Sequence, residues 1–221
     1  MRIKGVVCDL DGTLIDSESV HMEAWNEVIR RLGHTPPANA WHEEYVGMPD
    51  SFAADKIIGM FQGIGQSCPE LIEMKQVVYR ELVRKKGPEL AYPGVRDRLE
   101  KLKAAGMGLA VATNSILLNT QVSLEAAGLG DIFEHLVTID LVEHGKPAPD
   151  IPLGACRRLG LSPGECVVLE DSPAGLGAAR AAGCPGLAIT NTMSGAELNP
   201  RDQLFENTAA ALDWVAAQNG L

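Results

Sequence analysis

The chain has 221 residues, of which 46% are hydrophobic and 22% charged, a composition typical of a globular protein with a substantial buried core. Its formal net charge of −10 argues against nucleic acid or a membrane as a partner, and no apolar run is long enough to span a bilayer. The five cysteines form no Cys-x-x-Cys pair and no signal peptide is recognised, so we expect reduced thiols and a cytoplasmic protein.

The predicted elements place an all-helical segment inside an alternating strand–helix pattern. The apolar, β-branched run from Ile3 to Cys8 predicts a buried parallel strand. Amphipathic helices are predicted over 18–32, 51–61 and about 70–85. Strands then alternate with helices, and they are predicted at 108–112, 136–139, 166–169 and, last, 186–189. The pattern predicts an α/β fold with a doubly wound parallel sheet, formed by residues 1–15 and 89–221, and an inserted all-helical domain over residues 16–88.

Polar clusters follow four of the predicted strands, and the carboxyl ends of parallel strands share one edge of the sheet. Asp9 and Asp11 follow the first strand and, being two residues apart, can point into the same space. The later clusters are Thr113-Asn114-Ser115, Lys146 and Glu170-Asp171. Carboxylate oxygens suit Mg²⁺, and a metal, a lysine and hydroxyl and amide donors are what the oxygens of a phosphoryl group require.

Each cluster also has a plain structural interpretation. Asp11-Gly12 is a common turn dipeptide. Thr113-Asn114-Ser115 and Glu170-Asp171-Ser172-Pro173 could each be a helix N-cap, and Lys146 could be a solvated loop lysine. If this edge of the sheet had no functional site, all of these structural interpretations would have to be true at once.

With these motifs in this order, the chain resembles the haloacid dehalogenase superfamily, in its β-phosphoglucomutase-like group of phosphohydrolases with a helical cap. Asp9-Leu10-Asp11-Gly12-Thr13 resembles the nucleophile motif of that family. Thr113, Lys146 in Gly145-Lys146-Pro147, and Glu170-Asp171 stand at its second, third and fourth motifs. The dehalogenases of the superfamily lack the second aspartate, so Asp11 favours phosphoryl transfer over carbon–halogen cleavage.

The resemblance implies a covalent mechanism that uses Mg²⁺. Asp9 would attack phosphorus and form an aspartyl-phosphate, while Asp11 would act as general acid and then as general base. The resemblance implies that Mg²⁺ is bound by Asp9, the backbone carbonyl of Asp11, Asp171 and Glu170, the last directly or through water. Thr113, Lys146 and the backbone N–H of Asn114 would hold the phosphoryl oxygens. The helical cap would close over the substrate as a lid.

Two residues of the helical insert, His21 and Lys75, fall where the β-phosphoglucomutases carry a histidine and a lysine, so we expect them to bind substrate. The alternatives are that His21 belongs to the apolar stripe of its helix and that Lys75 is solvated. The mutases also use an arginine after a glycine that resembles Gly47, and a lysine after the second motif. This chain has Met48 and Ile116 at those positions.

We therefore expect a phosphatase that hydrolyses a small phosphorylated metabolite, a phosphomonoester such as a sugar phosphate, and that acts as a monomer. One alternative is a phosphosugar mutase of the β-phosphoglucomutase type. Another is a non-catalytic module that binds phosphate or metal.

Overall fold

The computed structural model describes residues 3–37, 49–198 and 202–221. The chain divides into two compact units, which we call the sheet unit (Met1–Asp16 with Gly87–Leu221) and the helical unit (Ser17–Lys86). Within the described ranges, no helix has the combination of length and apolar character that crossing a membrane requires.

The helical unit contains the helices α1 (Glu18–Arg31), α2 (Asp50–Met60) and α3 (Cys68–Lys86). Both α1 and α2 pack against α3. The apolar stripe of α1 is buried as its spacing predicts, with Trp25 only 3% exposed. The buried face of α3 includes a charged residue, since Lys75 is 2% exposed. The interpretation of Lys75 as a solvated lysine is therefore wrong.

In its described part, the sheet unit contains six parallel strands in the order β3-β2-β1-β4-β5-β6. Their bounds are Gly5–Cys8, Gly108–Thr113, His135–Thr138, Cys166–Glu170, Gly186–Ile189 and Gln203–Phe205, for β1 to β6. The predicted α/β fold with a doubly wound parallel sheet is confirmed. The prediction that 186–189 is the last strand is wrong, because β6 follows it as a three-residue edge strand too short for its pattern to stand out.

Helices cover both faces of the sheet. The helices α4 (Val95–Ala104) and α8 (Thr208–Gln218) pack together, as do α6 (Asp150–Leu159) and α7 (Pro173–Ala182), while α5 (Leu117–Ala126) packs on β3. Short 3-10 turns occupy Gly87–Leu90, Ile139–Leu141 and Pro163–Glu165. An apolar cluster fills the space between the strands and the α6–α7 pair, and it contains Val7, Ala110, Val137, Ile151, Val168 and Ala179. This core packs the α6–α7 pair against the sheet.

Candidate active site

The strand register brings the predicted clusters to one edge of the sheet. Cys8, the last residue of β1, lies opposite Val111 of β2 and Leu169 of β4. The Asp9 N–H then donates to the Leu169 carbonyl oxygen at 3.0 Å, so Asp9 leaves β1 at the level of Glu170, the end of β4. Strand β1 is also where the strand order reverses, and open α/β sheets place their ligands beside that point.

A compact group of carboxylates with one ammonium forms the centre of the site. Asp9, Glu170 and Asp171 are all buried, and each offers a carboxylate oxygen within 4.8 Å of the other two. Lys146 Nζ lies 2.5 Å from Asp9 Oδ1 and also donates to Glu170 Oε1. Its side chain is 6% exposed, so the interpretation of Lys146 as a solvated loop lysine is wrong.

The directions of the pKa shifts in this group indicate that it has too little positive charge for its number of carboxylates. Burial raises the pKa of Asp9 well above its usual range, against the opposing effect of Lys146. Burial and the nearby Glu170 carboxylate raise the pKa of Asp171 to about 7. Burial disfavours the charged form of Lys146, but the carboxylates of Asp9 and Glu170 outweigh it and the lysine pKa rises. Both aspartates would ionise more readily beside a further cation.

Hydroxyl groups orient the two acids of the β4 end. Asp171 accepts from Thr13 Oγ1 at 3.1 Å and from Thr192 Oγ1 at 2.5 Å. Glu170 Oε2 accepts from the N–H of Ser172 at 3.2 Å and from its hydroxyl at 2.9 Å. Sequence reasoning missed Thr192, which lies in the loop after β5 and carries no motif. The helix-cap interpretation is correct for Ser172, since its hydroxyl also accepts from the N–H of Gly175, the third residue of α7.

The end of β2 contributes polar groups on the other side of β1. Ser115 Oγ donates to Asp11 Oδ2 at 2.6 Å, and the Ser115 N–H donates to Thr113 Oγ1 at 3.0 Å. The N-cap residue of α5 is Ile116, and it makes no side-chain cap. The interpretation of Thr113-Asn114-Ser115 as a helix cap is therefore wrong.

Two predicted residues take positions that the sequence did not indicate. The Asn114 side chain holds the loop that carries the lysine, because its Oδ1 accepts from the Lys146 N–H at 2.9 Å. The Asp11 carboxylate lies outside the close group of three and pairs instead with Ser115. The prediction assigns the backbone carbonyl of Asp11, rather than its carboxylate, to the metal.

The donor set fits a hard divalent cation. Two carboxylates about 5 Å apart repel by roughly 3 kcal/mol at an effective dielectric near 20. If all three carboxylates ionised, this buried group with its one ammonium would have a net charge of −2. Oxygen ligands and this charge suit Mg²⁺, which binds through a few carboxylates and keeps room for phosphate oxygens.

Gly12 leaves the space that Asp171 occupies. Its φ is +73°, and a Cβ there would lie 2.0 Å from Asp171 Oδ2. We expect Gly12→Ala to lower the free energy of unfolding by more than 2 kcal/mol and to reduce catalytic turnover, because both the backbone and Asp171 must move. Gly128→Ala is the matched control, since Gly128 has a φ of +70° with nothing within 4 Å of its Cβ position. Urea unfolding should show a loss of only about 1 kcal/mol for the control, and equal losses would contradict the role of the Asp171 contact.

The helical unit holds a separate polar cluster around Lys75. Lys75 Nζ lies 2.8 Å from Asp50 Oδ1 and 2.8 Å from His21 Nδ1. Because an ammonium can only donate, Nδ1 of His21 is the acceptor of this contact. His21 also stacks on Tyr79, with ring centroids 4.2 Å apart, and Gln76 Nε2 donates to Asp50 at 2.7 Å. The sequence analysis did not identify Asp50 as a partner of Lys75, because an acid at the start of a helix is ordinarily explained by its favourable interaction with the helix dipole.

Comparisons with known proteins agree with this geometry. A family model described as haloacid dehalogenase-like hydrolase matches residues 3–183. Protein CbbY from Rhodobacter capsulatus is 34% identical over 234 residues, covering 97% of this chain and 92% of its own. Hexitol phosphatase A from Escherichia coli (strain K12) is 34% identical over 207 residues, covering 94% and 92%. A solved structure of a putative β-phosphoglucomutase from Thermotoga maritima has a TM-score of 0.80 at 26% identity, covering 97% of this chain and 99% of that one. The predicted resemblance is confirmed.

Proposed function

The chain belongs to the haloacid dehalogenase-like hydrolases and is a phosphatase, and from that premise we propose that it uses Mg²⁺ to hydrolyse a small sugar or polyol phosphate through an aspartyl-phosphate. The observation that carries the proposal is the buried group of Asp9, Glu170 and Asp171 with Lys146 Nζ at 2.5 Å from Asp9. A nucleophile with a cation beside it and further acids behind it suits attack on an anionic phosphoryl group.

In the first step, an Asp9 carboxylate oxygen forms a bond to phosphorus while the ester bond from phosphorus to the substrate oxygen breaks. Asp11 gives its proton to the leaving oxygen, and the substrate departs as an alcohol. The hydrogen bond from Ser115 Oγ to Asp11 Oδ2 supports this role, because it holds that carboxyl group in a fixed position two residues after the nucleophile.

In the second step, water attacks phosphorus and Asp11 takes a proton from it. The bond between Asp9 and phosphorus breaks, which releases inorganic phosphate and restores the free carboxylate. Lys146, Thr113 and the backbone N–H of Asn114 hold the phosphoryl oxygens through both steps. The contact of Asn114 Oδ1 with the Lys146 N–H supports a fixed position for the lysine.

Asp9, Glu170, Asp171 and the backbone carbonyl of Asp11 would hold the metal. When bound, Mg²⁺ supplies the positive charge that offsets the carboxylates and the charge developing on the transferring group. Thr13 and Thr192 would keep Asp171 oriented for this purpose through their hydrogen bonds.

Hydrolysis is favoured over the mutase alternative by the charges of the helical unit. A mutase must bind a second phosphate, but the ammonium of Lys75 is already paired with Asp50. Residues 38–48, which include Gly47 and Met48 and lie outside the described part of the structure, contain neither Arg nor Lys. Each missing charge-assisted contact would weaken the binding of the second phosphate by about 1.5–3 kcal/mol.

We extend the proposal to His21 and Lys75 as residues that contact the neutral, hydroxyl-bearing part of the substrate. Lys75 orients the His21 ring through Nδ1, and the Tyr79 ring supports its face. An imidazole ring held in this way suits a hydrogen bond with a substrate hydroxyl group better than it suits a second phosphate.

A substrate panel tests the proposal directly. We expect free phosphate from sugar or polyol monophosphates with Mg²⁺ and none with EDTA. Conversion of β-glucose 1-phosphate to glucose 6-phosphate with a bisphosphate primer, without phosphate release, would establish the mutase instead. On the substrate so found, His21→Ala should raise KM about 10-fold. His34→Ala is its control, since His34 also stacks on an aromatic ring, Phe61, at 4.7 Å.

A further inference from the structure

Three thiols meet at the amino-terminal edge of the sheet, opposite the edge that carries Asp9. Cys166 begins β4, Cys184 lies two residues before β5 begins, and Cys156 lies in α6. All three are free and buried, at 0%, 4% and 1% exposure. Most single buried cysteines are inert small hydrophobes, but three in contact from three separate segments form a cluster of nucleophilic groups.

The geometry favours one pair within this cluster. Cys156 Sγ and Cys184 Sγ lie 3.7 Å apart, in direct contact. Hydrogen bonding with the thiols of Cys166 and Cys184 lowers the pKa of Cys156, against the effect of burial. A thiolate beside a neutral thiol is the arrangement that thiol oxidation requires.

The cluster lies close beneath the surface. Cys184 is flanked by Gly183 and Pro185, which are both exposed, and Cys156 is followed by the exposed Arg157. A small local opening of the turn at Gly183 would admit a molecule of the size of water or peroxide.

We propose that Cys156 and Cys184 form a reversible intramolecular disulfide when the protein meets a hydroperoxide. The Cys156 thiolate attacks one peroxide oxygen, the O–O bond breaks, and a sulfenic acid forms as hydroxide leaves and takes up a proton. The Cys184 sulfur then attacks the sulfenic sulfur, its proton leaves with the hydroxyl group as water, and the S–S bond closes. The two thiols are oxidised by two electrons, and the peroxide is reduced to two molecules of water.

The test is oxidation of the full chain with hydrogen peroxide, followed by denaturation, alkylation and mass spectrometry. We expect a protein lighter by two hydrogen atoms, with two fewer alkylated thiols, reversed by dithiothreitol, and a peptide map that joins Cys156 to Cys184. A map that joins Cys156 to Cys166, or five thiols that remain alkylated, would overturn the proposal.

Matched variants separate the pair from general oxidation. Cys68→Ser removes a more exposed thiol outside the cluster and should leave the cross-link intact. Cys184→Ala should abolish it. Loss of the cross-link in Cys68→Ser, or its persistence in Cys184→Ala, contradicts the assignment. If Cys184→Ala does not fold, the peptide map of the unmodified sequence decides alone.

Discussion

Asp9→Asn is expected to abolish phosphate release, by roughly 10⁴-fold or more, because an amide oxygen cannot form the phosphoryl bond that the carboxylate forms. The substitution keeps the shape of the side chain. It removes one negative charge from a group in which three carboxylates share one ammonium. Since burial raises the pKa of Asp9 in the folded protein, we expect the metal-free variant to unfold at the same denaturant concentration or a higher one. Phosphate release and urea unfolding on the same preparations measure both effects.

Opposite changes in activity and stability distinguish catalysis from a structural role. If Asp9 served only the fold, Asp9→Asn would lower stability, and activity would fall with it. If the protein were a phosphate- or metal-binding module, its function would survive the change. The control is Asp97→Asn, an exposed acid in the first turn of α4, for which we expect activity within about two-fold of the starting protein.

The sequence predicts the sheet well because most of its strands are buried runs, and a helix follows each of β1 to β4 before the next strand. The run up to Cys8 and the run over 166–169 are apolar on both faces, which is typical of a central parallel strand. Strand β6 departs from this rule, since it is an edge strand whose residues Gln203 and Leu204 are exposed. Three residues without a buried face leave no periodicity to detect.

The sequence predicts those site residues that stand at the ends of strands, and it does not predict the contacts of residues in the loops. Asp9 and Glu170 stand at strand ends, so the register alone brings them together. Thr192 acts on Asp171 through one hydrogen bond, and Asn114 acts on the backbone of Lys146 through two. Both partners lie far along the chain. A single polar side chain in a loop has many conceivable partners, and only the folded backbone selects one.

The helical unit shows the same limit for buried charge. Helical spacing placed Lys75 beside the apolar stripe of α3, where a solvated position has the lower cost for an isolated lysine. Burial becomes favourable once Asp50 pairs with the ammonium and the rings of Trp25 and Tyr79 lie within about 6 Å of it. These partners come from three helices, so the sequence pattern of any one helix does not predict them.

Lys146→Met is expected to cost about 3 kcal/mol of stability in the metal-free protein at pH 8, and to reduce phosphate release by about 10³-fold. Methionine keeps the length of the side chain but leaves Asp9 and Glu170 without their ammonium. The cost should shrink at pH 5, because a proton can replace the missing cation on Asp9 and Asp171, whose pKa values are raised. Urea unfolding at the two pH values, with EDTA present, measures the difference.

The sign of the pH effect follows from proton binding. Between the ordinary pKa of an aspartate, near 4, and the folded pKa of Asp171, about 7, the folded state holds more protons than the unfolded state. The free energy of unfolding therefore falls as pH rises through this range, and it falls further in Lys146→Met. Lys4→Met removes an exposed partner of Glu165, 2.6 Å away, and should cost less than about 1 kcal/mol at either pH. A cost for Lys146→Met that is equal at pH 5 and pH 8, or no larger than that of the control, would show that Lys146 does not neutralise the buried acids.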